Sequence, residues 1–119
     1  MNKLEFYKKP FRIDNDSYWV YDANNNFVFQ FEAFEDENNI KESMNVINGK
    51  GKSTNSFKAD FENKEILIKT PYGEYTHYIT IRGWGNLTGR GAHNLSVDRA
   101  TEIQDIFTRW LLGTLNGTL

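Results

Sequence analysis

The fold is decided by the stretch Tyr21-Asp22-Ala23-Asn24-Asn25-Asn26-Phe27-Val28-Phe29-Gln30-Phe31-Glu32. Phe27, Phe29 and Phe31 recur at every second position, which is the side-chain period of a β-strand with one buried face. The three asparagines before them suit a tight turn, because Asn tolerates the left-handed backbone region. With the aromatic segment 17–22 on the other side of this turn, the stretch predicts a β-hairpin.

A helix is predicted directly after this hairpin. Ile40, Met44 and Ile47 recur at helical spacing, and the acidic run 35–37 lies where a helix N-terminus favours negative charge. Asn48-Gly49 is a typical signal for the helix C-terminus. The following residues 50–55 contain no apolar side chain and are predicted to be a polar connector.

The same order of elements follows the connector. Apolar and polar residues alternate over 57–62, a tight turn at 63–64 leads into the apolar segment 65–69, and residues 75–82 form a further predicted strand. Ser96 is a suitable cap for a second helix from about Val97 to about Leu112, whose apolar side chains lie along one stripe. The order of strands then helix therefore occurs twice.

The sequence thus predicts a single α+β domain over residues 1–119. We expect a mostly antiparallel sheet of about five or six strands with two helices packed on one face. The strand-strand-helix halves span about 5–49 and 56–117, with the connector at 50–55. The other face of the sheet would be open, as one face of an antiparallel sheet often is. The candidates for this open face are Trp19 or Tyr18, Val28, Leu67 and Tyr78.

Composition excludes several classes of protein. The 119 residues contain no cysteine, so neither disulfides nor a thiolate metal site is expected, and no apolar run approaches the roughly 18 residues of a membrane helix. We therefore expect no membrane partner. The start Met1-Asn2-Lys3-Leu4-Glu5 lacks the apolar core of a signal peptide, which predicts a cytoplasmic location.

The most unusual segment is the glycine-punctuated loop 83–95, which lies between the last predicted strand and the second helix. No Asp or Glu occurs from Tyr75 to Val97, so the loop is locally basic in a chain of formal net charge -2. Glycine concentrates where a backbone has a demanding shape or a ligand approaches closely. The candidate binding residues at and near this loop are Arg82, Trp84, Arg90, His93 and Tyr78. The structural alternative is a tight crossover with Trp84 packed on the core.

The chemistry of an enzyme is not indicated. The loop 83–95 matches neither the nucleotide P-loop nor the dinucleotide fingerprint, and we expect no cofactor. His77 and His93 have no clustered carboxylates nearby in sequence and no nucleophile motif, so neither a metal site nor a catalytic residue is predicted. His77 is interpreted as a structural histidine of its strand.

Two segments carry a resemblance to known proteins. The run Tyr21–Val28 leading to a helix that ends at Asn48, and the G-W-G-x-L-T-G-x-G-A-x-N-L run from Gly83 to Leu95, resemble those of small bacteriophage and mobile-element proteins of a hairpin–helix type. The resemblance brings no catalytic residues. It implies a protein that acts in the cytoplasm of a bacterial host by binding a host or phage macromolecule, as inhibitors of host defence proteins do.

Three functions follow from these observations. The first is a non-enzymatic protein that binds a host or phage protein and regulates or inhibits it, and an aromatic open sheet face fits this function. The second is a nucleic-acid-binding accessory protein that uses Arg82, Arg90, Tyr78 and Trp84 for charge and stacking. The weakly acidic overall charge argues against it, because nucleic-acid binders usually carry a larger basic surface. The third is a homo-oligomeric structural protein, for example a homodimer through the sheet.

Overall fold

The computed structural model describes residues 7–82 and 96–118, with only the backbone given for Arg82, Arg99 and Ala100. Within these ranges the chain forms six strands and two helices. In chain order they are β1 (Arg12–Ile13), β2 (Trp19–Tyr21), β3 (Phe27–Phe31), α1 (Glu37–Ile47), β4 (Phe57–Asp60), β5 (Glu65–Lys69), β6 (Tyr75–Arg82) and α2 (Val97–Leu115). The predicted α+β fold is confirmed, and α2 continues one turn beyond its predicted end.

All six strands belong to one antiparallel sheet of order β1-β2-β3-β6-β5-β4. The two halves meet where β3 pairs with β6, with Phe31 opposite Ile81. Both helices pack on the same face, and α2 contacts the sheet through the rings of Phe107 and Trp110, which lie against Phe29. The core lies between this face and the helices, because the alternating apolar side chains of the strands are buried there.

The two halves repeat each other in detail. The turn between β1 and β2 is fixed by Asp14, whose Oδ1 accepts from the backbone N–H of Asp16 and of Ser17. The turn between β4 and β5 has the same arrangement around Asp60. Each turn ends on a residue with positive φ, which is Tyr18 in the first half and Lys64 in the second. The turns are therefore equivalent residue by residue.

A second repeated feature joins the end of each helix to the sheet. The Asn48 amide accepts from the backbone N–H of Phe11 at 2.7 Å and donates to the carbonyl of the same residue at 2.8 Å. Asn116 makes the same two bonds to Phe57, each at 3.2 Å. An Asn side chain can do this because it carries both a donor and an acceptor. We call these contacts the first and second Asn clamps.

Both helices also end in the same backbone motif. The N–H of Gly49 bonds to the carbonyl of Val46, and the N–H of Lys50 reaches back to Asn45. Gly117 and Thr118 form the corresponding bonds at the end of α2. Gly49 and Gly117 have φ of 75° and 72°, which a glycine adopts without steric cost at this position. The paired Asn-Gly sequences therefore mark equivalent points of the two halves.

Each half also contains a β-bulge, and these bulges correct two sequence predictions. The register shifts between β2 and β3 at Val28, and between β5 and β6 at Tyr78. Both residues were expected on the open face from strict alternation. Instead both are buried, at 0% and 1% exposure, because the extra residue of a bulge interrupts the alternation. The bulge in β3 also places Phe27 on the open face, although its spacing with Phe29 and Phe31 predicts one buried row. Of the alternatives Trp19 and Tyr18, the structure selects Trp19, because Tyr18 packs against the core. Trp19 and Leu67 have strand partners that place them on the face opposite the helices, as predicted for Leu67.

Candidate functional site

The first half of the open face carries a cluster of three aromatic rings. The Trp19 ring lies 4.7 Å from the ring of Phe27, and Tyr21 lies 6.4 Å from Trp19 and 6.2 Å from Phe27, measured between centroids. Trp19 and Tyr21 are two positions apart on β2, and Phe27 is opposite Tyr21 on β3, so all three project from one face. Trp19 remains 39% exposed although two other rings pack beside it.

A cation completes this surface, which we call the aromatic patch: Arg12, Trp19, Tyr21 and Phe27. The Arg12 guanidinium carbon lies 4.8 Å from the centroid of the Tyr21 ring. One guanidinium nitrogen donates to Oδ1 of Asn25 at 2.5 Å, which holds the side chain over the ring. The patch therefore offers flat apolar area and a positive charge at its edge, which is suited to binding.

The second half of the open face is ionic where the first half is aromatic. His77 Nδ1 lies 2.6 Å from Oε2 of Glu65, and His77 Nε2 lies 2.9 Å from Oε2 of Glu35. Glu65 and His77 are the counterparts of Trp19 and Phe27 in the repeat. Burial lowers the pKa of His77, but its hydrogen bonds to Glu35 and Glu65 outweigh this effect, so the pKa is raised above its usual value.

Glu35 has a structural role in this cluster. Its side chain is nearly fully buried, and Oε1 accepts from the backbone N–H of Thr80 at 3.0 Å. Asn39 donates from its amide to the carbonyl of Tyr78 at 2.9 Å. These two side chains therefore form hydrogen bonds with backbone groups of β6 at positions beyond the end of β3. The His77 imidazole lies between this structural Glu35 carboxylate and Glu65. The interpretation of His77 as a structural histidine agrees with these contacts.

Tyr78 does not belong to the accessible surface, which corrects its prediction as a contact residue. Its ring packs against Phe57 at 4.8 Å between centroids, and its hydroxyl donates to Oε1 of Glu42 at 2.5 Å. Burial and the neighbouring Glu42 carboxylate raise the pKa of Tyr78. The residue therefore connects β6 to α1 through the core.

The other predicted contact residues lie at or beyond the end of β6. Arg82 is the last residue of this strand and stands opposite Gln30, which itself stands opposite Trp19. The backbone of Arg82 is thus two strands away from Trp19 in one row across the sheet, a distance of roughly 10 Å. Trp84, Arg90 and His93 lie outside the described residues.

Sequence reasoning offered Trp19 or Tyr18 for the open face but missed the rest of the aromatic patch and the partners of His77. Trp19 and Tyr21 have the spacing of one strand face, so a hairpin register would have placed Tyr21 beside Trp19. No local signal would have identified Glu35, because it reaches His77 from a distant part of the chain and stands in an acidic run that was attributed to helix capping. Only Asp36 of that run caps α1, by accepting from the backbone of Asn38 and Asn39.

Comparisons with protein-family models, curated proteins and solved structures give no match. Within residues 7–82 and 96–118, no group of three or more His, Asp or Glu side chains could hold a metal ion. Neither helix in these ranges is long and apolar enough to cross a membrane.

Proposed function

We propose that this chain is a small non-enzymatic binding protein that acts through protein–protein contacts, and that the aromatic patch is its docking surface. The observation that carries the proposal is the exposure of Trp19 within a ring cluster edged by Arg12. Trp, Tyr and Arg are enriched among the residues that dominate binding free energy, especially when neighbouring contacts exclude water around them. The patch combines all three.

We propose that the loop after β6 also contributes to this docking surface. Because Arg82 shares a row of the sheet with Trp19, the loop begins close to the aromatic patch. Arg82, Trp84, Arg90 and His93 are therefore proposed as a second contact region for the same partner. Tyr78 is left out, since its side chain is in the core.

The proposed partner is a protein of a bacterial host, and the proposed role is to regulate or inhibit it, as an inhibitor of host defence would. This part of the proposal rests on the resemblance of the Gly83–Leu95 run to phage proteins. It accords with the formal net charge of -2 and with the partly exposed Glu65 carboxylate on the same sheet face, which disfavour a polyanionic partner.

A nucleic-acid partner is the second candidate, because the three rings of the aromatic patch, with Arg12 beside them, also form a surface on which bases could stack. Fluorescence anisotropy with labelled single-stranded DNA, duplex DNA and RNA separates the two. Binding that persists at about 0.15 M ionic strength and is lost on Arg12→Ala would replace the proposed function with this one. Binding confined to low salt would remove nucleic acid from consideration.

The direct test is affinity enrichment from a bacterial host lysate, followed by titration calorimetry with the purified partner. Trp19→Ala should weaken the complex by about 30-fold or more, the effect of removing a central aromatic anchor. Tyr72→Ala is the matched control, since Tyr72 is 92% exposed on the turn between β5 and β6. Equal affinity of the two variants would contradict the proposal.

Two further measurements complete the test. Replacing both Trp84 and Arg90 by Ala should weaken the same complex while leaving the melting temperature nearly unchanged. If binding and thermal stability are both lost, the loop is a structural element. Sedimentation equilibrium on the chain alone tests self-association. A dimer that dissociates on Trp19→Ala would assign the aromatic patch to a second copy of this chain instead of a host protein.

A further inference from the structure

A groove of about 520 Å³ lies between α1 and the turn that joins β1 to β2, on the helix side of the sheet. Ile13, Ile40 and Met44 supply apolar walls, while Glu37 and Lys41 stand among its lining residues on α1. This volume falls within the roughly 300–1,000 Å³ typical of ligand pockets. The groove faces away from the aromatic patch, so what it binds is a separate question from the proposed function.

The repeat reveals what kind of group this groove fits. The turns are equivalent from Asp14 and Asp60 onward, so Asn15 in the first half corresponds to Phe61 in the second. In the second half the Phe61 ring lies against α2, with the guanidinium carbon of Arg109 at 4.3 Å from its centroid. Asn15 has a short polar side chain and so supplies no ring at the corresponding position beside α1.

The helices align in the same way when residues are counted back from Asn48 and from Asn116. Lys41 then corresponds to Arg109, so the groove retains a cation at the place from which Arg109 covers the Phe61 ring. A Lys or Arg over the face of an aromatic ring is attractive. The first half thus has the apolar walls and the cation of this arrangement. The Tyr18 ring also lines the groove, but no aromatic side chain stands at the position equivalent to Phe61.

The two halves also differ in the charged side chains near the Phe61 ring and near the equivalent position of the groove. In the second half Lys64 Nζ pairs with Oδ1 of Asp105 at 2.6 Å. The counterparts are Tyr18 and Glu37, which cannot form this ion pair because Tyr18 carries no cation. Among the described residues Glu37 has no salt-bridge partner, so a negative charge remains at the groove.

We propose that this groove binds an aromatic side chain of a protein partner together with a cationic side chain close to it in the partner's sequence. The ring would occupy the space that Phe61 fills in the second half, beneath Lys41, and the cation would pair with Glu37 as Lys64 pairs with Asp105. The partner segment therefore has the character of Phe61 and Lys64 themselves, an aromatic residue followed three positions later by a basic one.

The test uses the acetylated and amidated tetrapeptide Phe-Glu-Asn-Lys, which copies residues 61–64, titrated into the ¹⁵N-labelled full chain and followed by NMR. We expect saturable shifts at the amides of Ile40, Lys41 and Met44, with weak, millimolar affinity. Ala-Glu-Asn-Lys should give no saturable shift, and Phe-Glu-Asn-Gln should bind more weakly than the parent peptide. Absence of these shifts, or equal shifts with the alanine peptide, would overturn the proposal.

Substitutions at one position provide the matched pair. Asn15→Phe supplies the chain with its own ring and should weaken peptide binding by about tenfold or more, the effect of closing the site to an aromatic anchor. Asn15→Ser leaves the groove open and should bind as the parent chain does. Undiminished binding to a folded Asn15→Phe variant would refute the inference.

A second variant keeps the test decisive if Asn15→Phe does not fold. Lys41 is exposed on α1, so Lys41→Ala should leave the fold intact. It should weaken the affinity for the peptide severalfold by removing the cation over the ring. Unchanged affinity in this variant would contradict the proposed geometry. Groove shifts that depend on protein concentration in the absence of peptide would identify a second copy of this chain as the occupant and so overturn the assignment to another protein.

Discussion

The first Asn clamp provides the sharpest test of how the helices are fixed to the sheet. Asn48→Ala removes two hydrogen bonds, at 2.7 Å and 2.8 Å, to the backbone of Phe11. Each hydrogen bond of this kind contributes about 0.5–1.5 kcal/mol to stability, so the free energy of unfolding should fall by about 1–3 kcal/mol. Asn48 is half-buried, so water replaces these bonds only in part.

The second Asn clamp supplies an internal comparison. Both bonds from Asn116 to Phe57 are longer, at 3.2 Å, and Asn116 is exposed, so water can take its place more easily. Asn116→Ala should therefore lower the free energy of unfolding by about 1 kcal/mol, which is less than the cost expected for Asn48→Ala. The difference between the two variants depends on bond length and burial, since the motif is the same.

Urea unfolding followed by tryptophan fluorescence measures both values, with the slope of the transition expected to stay constant. Asn45→Ala is the control, because Asn45 is exposed in the last turn of α1 and Ala is the better helix former. Its free energy of unfolding should equal or slightly exceed that of the parent chain. A cost for Asn48→Ala no larger than that of Asn45→Ala, or a larger cost for Asn116→Ala, would refute the reasoning.

Two further predictions concern the titratable groups of β6. Because the pKa of His77 is raised in the folded chain, its charged form should stabilise the fold below the unfolded pKa of about 6.5, and this contribution should disappear as pH rises through the folded value. The melting temperature of the parent chain should thus exceed that of His77→Gln by more at about pH 6 than at about pH 9, and a pH-independent difference would contradict the ionic contacts. Tyr78→Phe should lower the free energy of unfolding by about 1.5–3 kcal/mol in urea, because its hydroxyl donates to the Glu42 carboxylate, whereas Tyr72→Phe on the exposed turn should leave it unchanged.

Features of the candidate site could be predicted from sequence only where they depend on neighbouring residues, as was true of the fold. The sequence left Trp19 and Tyr18 as alternatives for the open face, and the register of β2 with β3 selects Trp19. Tyr78 could not be placed in the core, because the bulge in β6 depends on how that strand pairs with β5. Glu35 could not be recognised either, since its contact with His77 joins residues far apart in the chain.

Short-range patterns in the sequence account for the local conformation of the backbone. The spacing of Phe27, Phe29 and Phe31 defined a strand, and the Asn48-Gly49 pair defined the end of α1, because period and glycine conformation are properties of a few adjacent residues. The end of α2 was predicted at about Leu112, whereas the helix continues to Leu115, just before the equivalent Asn116-Gly117 pair. The order of elements was therefore readable as two similar halves.

The differences between those halves emerge only from contacts formed in the folded chain. That Phe61 lies against its helix whereas Asn15 leaves a groove beside the other helix depends on equivalences between distant residues. The pairing of Trp19 with Phe27 in one half, and its ionic counterpart in the other, likewise depends on strand register. The physical reason is that register and packing are set by the joint fit of many side chains brought together by the fold, and no short segment contains that information.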